Sequence, residues 1–271
     1  MIQVQQVSKS YSQSRFFRKK NSMVKAVENV SLNIKEGSCF TLLGQSGSGK
    51  STLGKMILGI EKPDDGVILF NGINVHKTTI NERKRLQQSL QVVFQDCHSA
   101  VNPKLKIRDI IVEPILVYEK LDINQIEDRV GKLLKMVGLS EEDMMKYPQQ
   151  FSGGQLQRIT IARAISTQPR LIVLDESVNS LDVLVQISIL KLLKRLQHEL
   201  KLTYFFITHD IHVARLLADE IAIMHKGRIV EQLLIDELEN AKHVATKILL
   251  DSQLKIDSIH HQLDLKEELE L

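Results

Sequence analysis

Apolar and polar residues alternate through Ile2-Gln3-Val4-Gln5-Gln6-Val7 and through Ala26-Val27-Glu28-Asn29-Val30-Ser31-Leu32-Asn33-Ile34. A period of two marks strands with one wet face, so both stretches are predicted as antiparallel strands. Lys62-Pro63-Asp64-Asp65-Gly66 is a turn into Val67-Ile68-Leu69-Phe70, and Asn71-Gly72 signals a hairpin, which adds to the same β layer. A different pattern governs Cys39-Phe40-Thr41-Leu42-Leu43, Leu171-Ile172-Val173-Leu174 and Tyr204-Phe205-Phe206-Ile207-Thr208. These are short, unbroken apolar runs, the form of buried strands covered on both faces. From Asn81 to about Ile165 the period is mostly helical, interrupted by Val92-Val93-Phe94-Gln95 and by a loop with Asn102-Pro103, as in a helical insertion. Beyond Asp182, Ile189, Leu192, Leu193, Leu196 and Leu200 recur at helical spacing as a core stripe. Two strands, Glu220-Ile221-Ala222-Ile223-Met224 and Arg228-Ile229-Val230, flank the turn His225-Lys226-Gly227, and the rest of the tail is charged and helical in pattern. The expected fold class is α/β: a core over residues 1–235 with an antiparallel β subdomain and an inserted helical subdomain at about 81–165, then a C-terminal helical tail at 236–271.

Composition narrows the class. The 271 residues are 43% hydrophobic and 25% charged with a net charge of +3, values of an ordinary globular protein that do not call for nucleic acid as a partner. The longest apolar runs fall far short of the ~20 residues that span a bilayer, and the N-terminus shows no signal-peptide pattern. The chain is therefore expected in the cytoplasm. Two cysteines, Cys39 and Cys97, read as structural thiols, since a disulfide framework needs more. The segment Arg15-Phe16-Phe17-Arg18-Lys19-Lys20-Asn21-Ser22 is basic with two aromatics. It reads as a solvated hairpin loop, with contact to a membrane surface or an acidic partner as the alternative.

The candidate chemistry begins at Gly44-Gln45-Ser46-Gly47-Ser48-Gly49-Lys50-Ser51. Four free positions between two glycines, followed by Lys and Ser, make a phosphate-binding loop when a strand precedes and a helix follows. Cys39 to Leu43 supplies the strand and Thr52-Leu53-Gly54-Lys55-Met56-Ile57-Leu58 the helix. Glycines let backbone N–H groups close around phosphate oxygens, the helix start adds its positive dipole end, Lys50 reaches terminal phosphates and Ser51 is placed for magnesium. Phe151-Ser152-Gly153-Gly154-Gln155 opens a second helix whose first N–H groups can face an anion. Taken alone, it also reads as an ordinary glycine turn capping a helix. Asp175-Glu176 ends a buried strand at the edge where α/β ligands gather, and His209 ends another.

In order, the phosphate loop, Gln95, Ser152-Gly153-Gly154-Gln155, Asp175-Glu176, Asp182 and His209 resemble the ATP-binding cassette family, from Ile2 to about Gln232. The resemblance implies a phosphate-loop ATPase that uses ATP and Mg2+. Gly44, Gln45, Ser46, Gly47, Ser48, Gly49, Lys50, Ser51 and Thr52 would hold the nucleotide, with Tyr11 stacking on adenine. Ser51, Gln95 and Asp175 would arrange magnesium, directly or through water. Glu176 would polarise the attacking water, with Gln95 and His209 completing the catalytic set. It also implies that Ser152, Gly153, Gly154, Gln155 and Asp182 serve a nucleotide shared with a second cassette, identical or related, in a head-to-tail pair. The expected partners are that cassette, transmembrane permease subunits docked near Gln95, and indirectly an extracytoplasmic substrate-binding protein. The expected place is the cytoplasmic face of the cell membrane, peripherally bound.

Two departures bear on detail. Ser177-Val178-Asn179 stands where the family usually has Pro after the catalytic Glu, which puts the loop's conformation in question. Gln95-Asp96-Cys97-His98-Ser99-Ala100-Val101-Asn102-Pro103 resembles the segment found in oligopeptide, dipeptide and nickel importers. Its Ser99-to-Pro103 portion, with Val178, looks closest to the nickel-import type. The expected function is the ATP-hydrolysing, energy-coupling subunit of a nickel importer; the alternative cargo is a di- or oligopeptide. A soluble cassette ATPase acting on nucleic acid or ribosomes is the different-class alternative, and a phosphate-loop kinase gives no reason for Ser-Gly-Gly-Gln. No nickel is expected on this chain, because neither His209 with His212 nor His260 with His261 has the spacing of a structural metal site.

Overall fold

A computed structural model describes residues 1–13, 22–178 and 181–251. Most of the basic segment at 15–22, Asn179 and Ser180 of the loop before Asp182, and the tail beyond 251 with His260 and His261 lie outside the described residues.

The alternating stretches form β1 (Ile2–Gln13) and β2 (Ser22–Ile34), an antiparallel pair. With β4 (Asp65–Phe70) and β5 (Ile73–Asn74) they make a four-stranded antiparallel sheet in the order β2-β1-β4-β5. The apolar runs form the centre of a second sheet: β3 (Cys39–Leu43), β7 (Leu171–Asp175) and β8 (Thr203–Thr208) are neighbours and parallel. β6 (Leu90–Val93) and β9 (Glu220–His225) extend it on either side, and β10 (Arg228–Leu234) closes one edge antiparallel. One hydrophobic cluster joins the sheets, running from Ile2, Val4 and Ile34 to Phe40, Leu42, Val173 and Phe205. The phosphate-loop helix α1 (Lys50–Ile57) crosses between them with Leu53, Met56 and Ile57 buried.

The stretch 81–165 is not all insertion. α2 (Ile80–Ser89), started by a capping box between Thr79 and Glu82, leads straight into β6, whose partner is β7 of the large sheet. The helical period of α2 and the short run after it do not reveal that pairing, which is long-range. The lobe proper follows β6: α3 (Ile107–Leu116), α4 (Ile123–Met136), and α5 (Gly153–Ile165), which packs on both the lobe and the sheet. The stripe on α6 (Val183–Leu200) is buried at Ile189, Leu192, Leu193 and Leu196, whereas Leu200 at the helix end is exposed. α7 (Ile211–Leu217) follows β8. The tail opens with a 3-10 turn over Ile235–Asn240 and a helical stretch at 244–251.

Candidate functional site

The parallel strands end together, and their register gathers the predicted residues at one edge. β6 pairs with β7 at Val93↔Leu174, and β7 with β8 at Asp175↔Ile207. Gln95, Glu176 and His209, each one or two residues beyond its strand, therefore leave from the same side as the phosphate loop after β3. Ala26, Ser46, Gly49, Lys50, Thr52 and Glu176 line one cleft.

Lys50 is 4% exposed, and its ammonium donates to the carbonyls of Gly44 (2.7 Å) and Gln45 (3.0 Å). Burial holds its pKa below the usual lysine range, opposed by the charges of Glu176 and Asp175. The Ser51 hydroxyl donates to Asp175 Oδ1 at 3.0 Å. Burial pushes the Asp175 carboxyl above the ordinary carboxylate range; the Ser51 hydrogen bond works against that and the neighbouring Glu176 charge adds to it. A buried cation, two crowded carboxylates and a helix start whose first N–H groups lack intrahelical acceptors form an incomplete charge balance that a polyphosphate would fill.

Glu176 has a left-handed backbone, φ +48°, and its N–H donates to the Ile207 carbonyl at 2.9 Å. Its Oε1 lies 3.7 Å from His209 Nδ1, and the His209 side chain is about half exposed. Gln95 is exposed at the end of β6. Tyr11, 39% exposed, stands at the end of β1; burial raises its hydroxyl pKa, with the Glu61 carboxylate adding and the Thr52 hydroxyl opposing. That sets the ring beside α1.

The Ser-Gly-Gly-Gln stretch is elsewhere. Ser152 caps α5 by accepting from Gln155 N–H at 3.4 Å, while Gln155 Oε1 accepts from Ser152 N–H at 3.0 Å. The capping reading of this stretch is thus correct as local structure. It does not account for the second glycine. A Cβ on Gly154 would lie 2.4 Å from Val185 Cγ1 of α6, so glycine lets α5 and α6 meet. Ser152 and Gln155 face outward, and none of the four residues lines the phosphate cleft. Asp182 caps α6, accepting from Val185 N–H at 3.0 Å. Both cysteines are buried; Cys97 Sγ lies 3.9 Å from the Gly153 carbonyl.

Sequence reasoning missed Ala26. Its carbonyl would be 2.0 Å from a Cβ on Gly49, where φ is +106°, so β2 shapes the phosphate loop directly. An alternating strand gives no sign of which carbonyl abuts a loop from the other sheet.

The family model described as ABC transporter matches residues 27–179. The oligopeptide transport ATP-binding protein OppF of Lactococcus lactis subsp. lactis is 43% identical over 95% of this chain and 81% of its own length. The nickel import ATP-binding protein NikE of Brucella abortus is 39% identical over 84% of this chain and 86% of its own. Among solved structures, the dimeric post-hydrolysis state of the ATP-binding cassette MJ0796, bound to ADP and Pi, superposes with a TM-score of 0.75 at 30% identity, covering 87% of this chain and 99% of that one. A match over more than half the residues, on a fold whose phosphate loop and paired carboxylates meet at one sheet edge, shows that the chain belongs to the ABC transporter family, as an ATP-hydrolysing cassette.

Proposed function

We propose that this chain is the energy-coupling subunit of a membrane importer, that it hydrolyses ATP as one half of a head-to-tail pair, and that the cargo is a short peptide. The observation that carries the pairing is the separation just described: Ser152 and Gln155 are exposed at a helix start away from the chain's own phosphate cleft. They are available to a nucleotide held by another cassette. The dimeric state of MJ0796 supports the same arrangement.

Within one cassette the roles follow from position. Lys50 and the start of α1 bind the β- and γ-phosphates, and Tyr11 offers its ring to the adenine. The donor set fits magnesium, a hard cation taking a few protein oxygens beside phosphate: Ser51 Oγ and Asp175 Oδ1 are already neighbours, and Gln95 brings an amide oxygen to the same edge. Magnesium, when bound, would neutralise phosphate charge. Glu176 orients the attacking water and accepts its proton, which suits a reaction needing in-line positioning more than covalent help. His209 holds the γ-phosphate end.

A groove bordered by Val93, Phe94, Pro114, Val117 and Arg163 lies between β6, α3 and α5, beside Gln95. Phe94, Leu116 and Val117 are exposed there, and it is the surface for a permease. No helix among the described residues is long and apolar enough to cross a membrane, so anchoring on the cytoplasmic face falls to such a partner.

For cargo, the peptide reading replaces nickel. The segment that leaned toward nickel is occupied with its own loop: Asp96 Oδ1 accepts from the N–H groups of His98 and Ser99, the Ser99 hydroxyl donates to the Asp96 carbonyl, and Val178 is fully buried. These residues touch no cargo, while the OppF relative exceeds the NikE relative in identity and coverage of this chain. The test is uptake of labelled peptide and labelled nickel by cells lacking this subunit. Loss of peptide uptake alone is expected; loss of nickel uptake alone would reverse the assignment.

A further inference from the structure

The C-terminal segment is fastened beside the phosphate loop. Glu231 on β10 accepts from the N–H groups of Lys242 (2.6 Å) and His243 (3.2 Å) and from the hydroxyl of the buried Thr246. His243 Nδ1 accepts from Ala245 N–H at 3.1 Å, starting the helical stretch at 244–251. Leu249 and Leu250 pack on a cluster containing Leu43, which leads into the phosphate loop, and Ile211, which follows His209. Between this helix and the loop lies an apolar cleft with Gln45 at one side and Ile223, Met224, Val244 and Ile248 among its walls. Val244 and Ile248 are 67% and 52% exposed at its rim.

A matching surface lies next to Asp182. Val183 and Leu184, in the first turn of α6, are 67% and 80% exposed. Two large aliphatic side chains in water at a helix start bring no stability to the lone subunit. They are fixed to the Ser-Gly-Gly-Gln element, because Gly154 abuts Val185 and Gly153 lies against Leu181. Whatever carries Ser152 to another phosphate loop carries Val183 and Leu184 with it, as one rigid face.

We infer that Val183 and Leu184 of one cassette seat in the cleft between the phosphate loop and the C-terminal helix of a second copy of this chain. The inference rests on the head-to-tail pairing proposed above. By symmetry the contact occurs twice, and it makes the segment at 241–251 part of the nucleotide-dependent closure. Its apolar area is buried only when ATP brings the two faces together.

The test uses the full chain carrying Glu176→Gln, so that ATP is held, with dimer formation followed by light scattering. Ser152→Arg should abolish the ATP-dependent dimer. Leu184→Glu and Ile248→Glu should each weaken it about tenfold or more, the scale of losing one buried aliphatic contact, with monomer ATP affinity unchanged. A short bismaleimide should join Leu184→Cys on one subunit to Ile248→Cys on another only with ATP present, the native Cys39 and Cys97 being buried. If Ser152→Arg blocks the dimer while both glutamate variants dimerise like the parent and no cross-link forms, the docking inference fails and the pairing stands. If Ser152→Arg dimerises normally, or the parent forms no ATP-dependent dimer, the pairing itself fails and the docking with it.

Discussion

Glu176 is held in a backbone conformation that non-glycine residues resist, at a cost on the order of 1–3 kcal/mol. Its φ of +48° persists because its N–H is tied to the Ile207 carbonyl of the adjacent strand. The strain aims the carboxylate into the cleft rather than along the sheet. Glu176→Gln keeps shape and hydrogen bonding and removes the base. Single-turnover hydrolysis should fall by at least ~10²-fold with ATP affinity retained, and hydrolysis at the parent rate would remove Glu176 from the mechanism. Asp175 presents the opposite balance. Burial raises its pKa in the folded chain, so it is the protonated form that the fold favours. That contribution is full below the unfolded-state pKa and is lost as pH rises through the folded one. At neutral pH without metal, the charged carboxylate is therefore a cost. Asp175→Asn should raise the melting temperature of the nucleotide-free protein by about 2–4 °C, on the order of 1 kcal/mol for a chain of this size, while weakening magnesium-dependent ATP binding and turnover. Calorimetry at pH 7 with and without MgATP checks both signs; a lower melting point without ligand would mean that Asp175 is structural.

Among elements, α5 shows how a helix start can do local and long-range work at once. Its capping box of Ser152 and Gln155 would satisfy any helix, but Gly154 answers to α6. Gly154→Val places two methyl groups where Val185 already stands, and overpacking of this kind destabilises by about 1–3 kcal/mol. The melting temperature should drop, and Val185→Ala in the same chain should restore most of it; a Gly154→Val protein as stable as the parent would show that α5 and α6 are free to part. The same element marks the limit of sequence reading. Apolar runs, turn residues and loop spacings announce β3, β7, β8, the phosphate loop and the carboxylate pair, because each pattern is local. The assignment of α2 and β6 to the large sheet, the Ala26 carbonyl under Gly49 and the Val185 contact depend on pairing between residues tens of positions apart. No local periodicity encodes them.

For the whole molecule, ATP chemistry and cargo are physically separate, since the nucleotide cleft and the permease groove are different surfaces. Gln95 leaves β6 between them, with Phe94 exposed on the groove side. Val117, 59% exposed on α3's C-terminal side, borders that groove and contributes little to the lobe's core. Val117→Asp should therefore leave the fold and the basal ATPase of the isolated chain within about twofold of the parent, since exposed substitutions away from special features shift stability by only about 0.5 kcal/mol. In the assembled importer the new carboxylate would be buried against the permease without a partner, which costs several kcal/mol. Labelled peptide uptake and co-purification with the permease should both be lost. Measuring the two activities on one variant separates docking from chemistry: if uptake survives Val117→Asp with ATPase intact, the groove between β6, α3 and α5 is not where the permease binds.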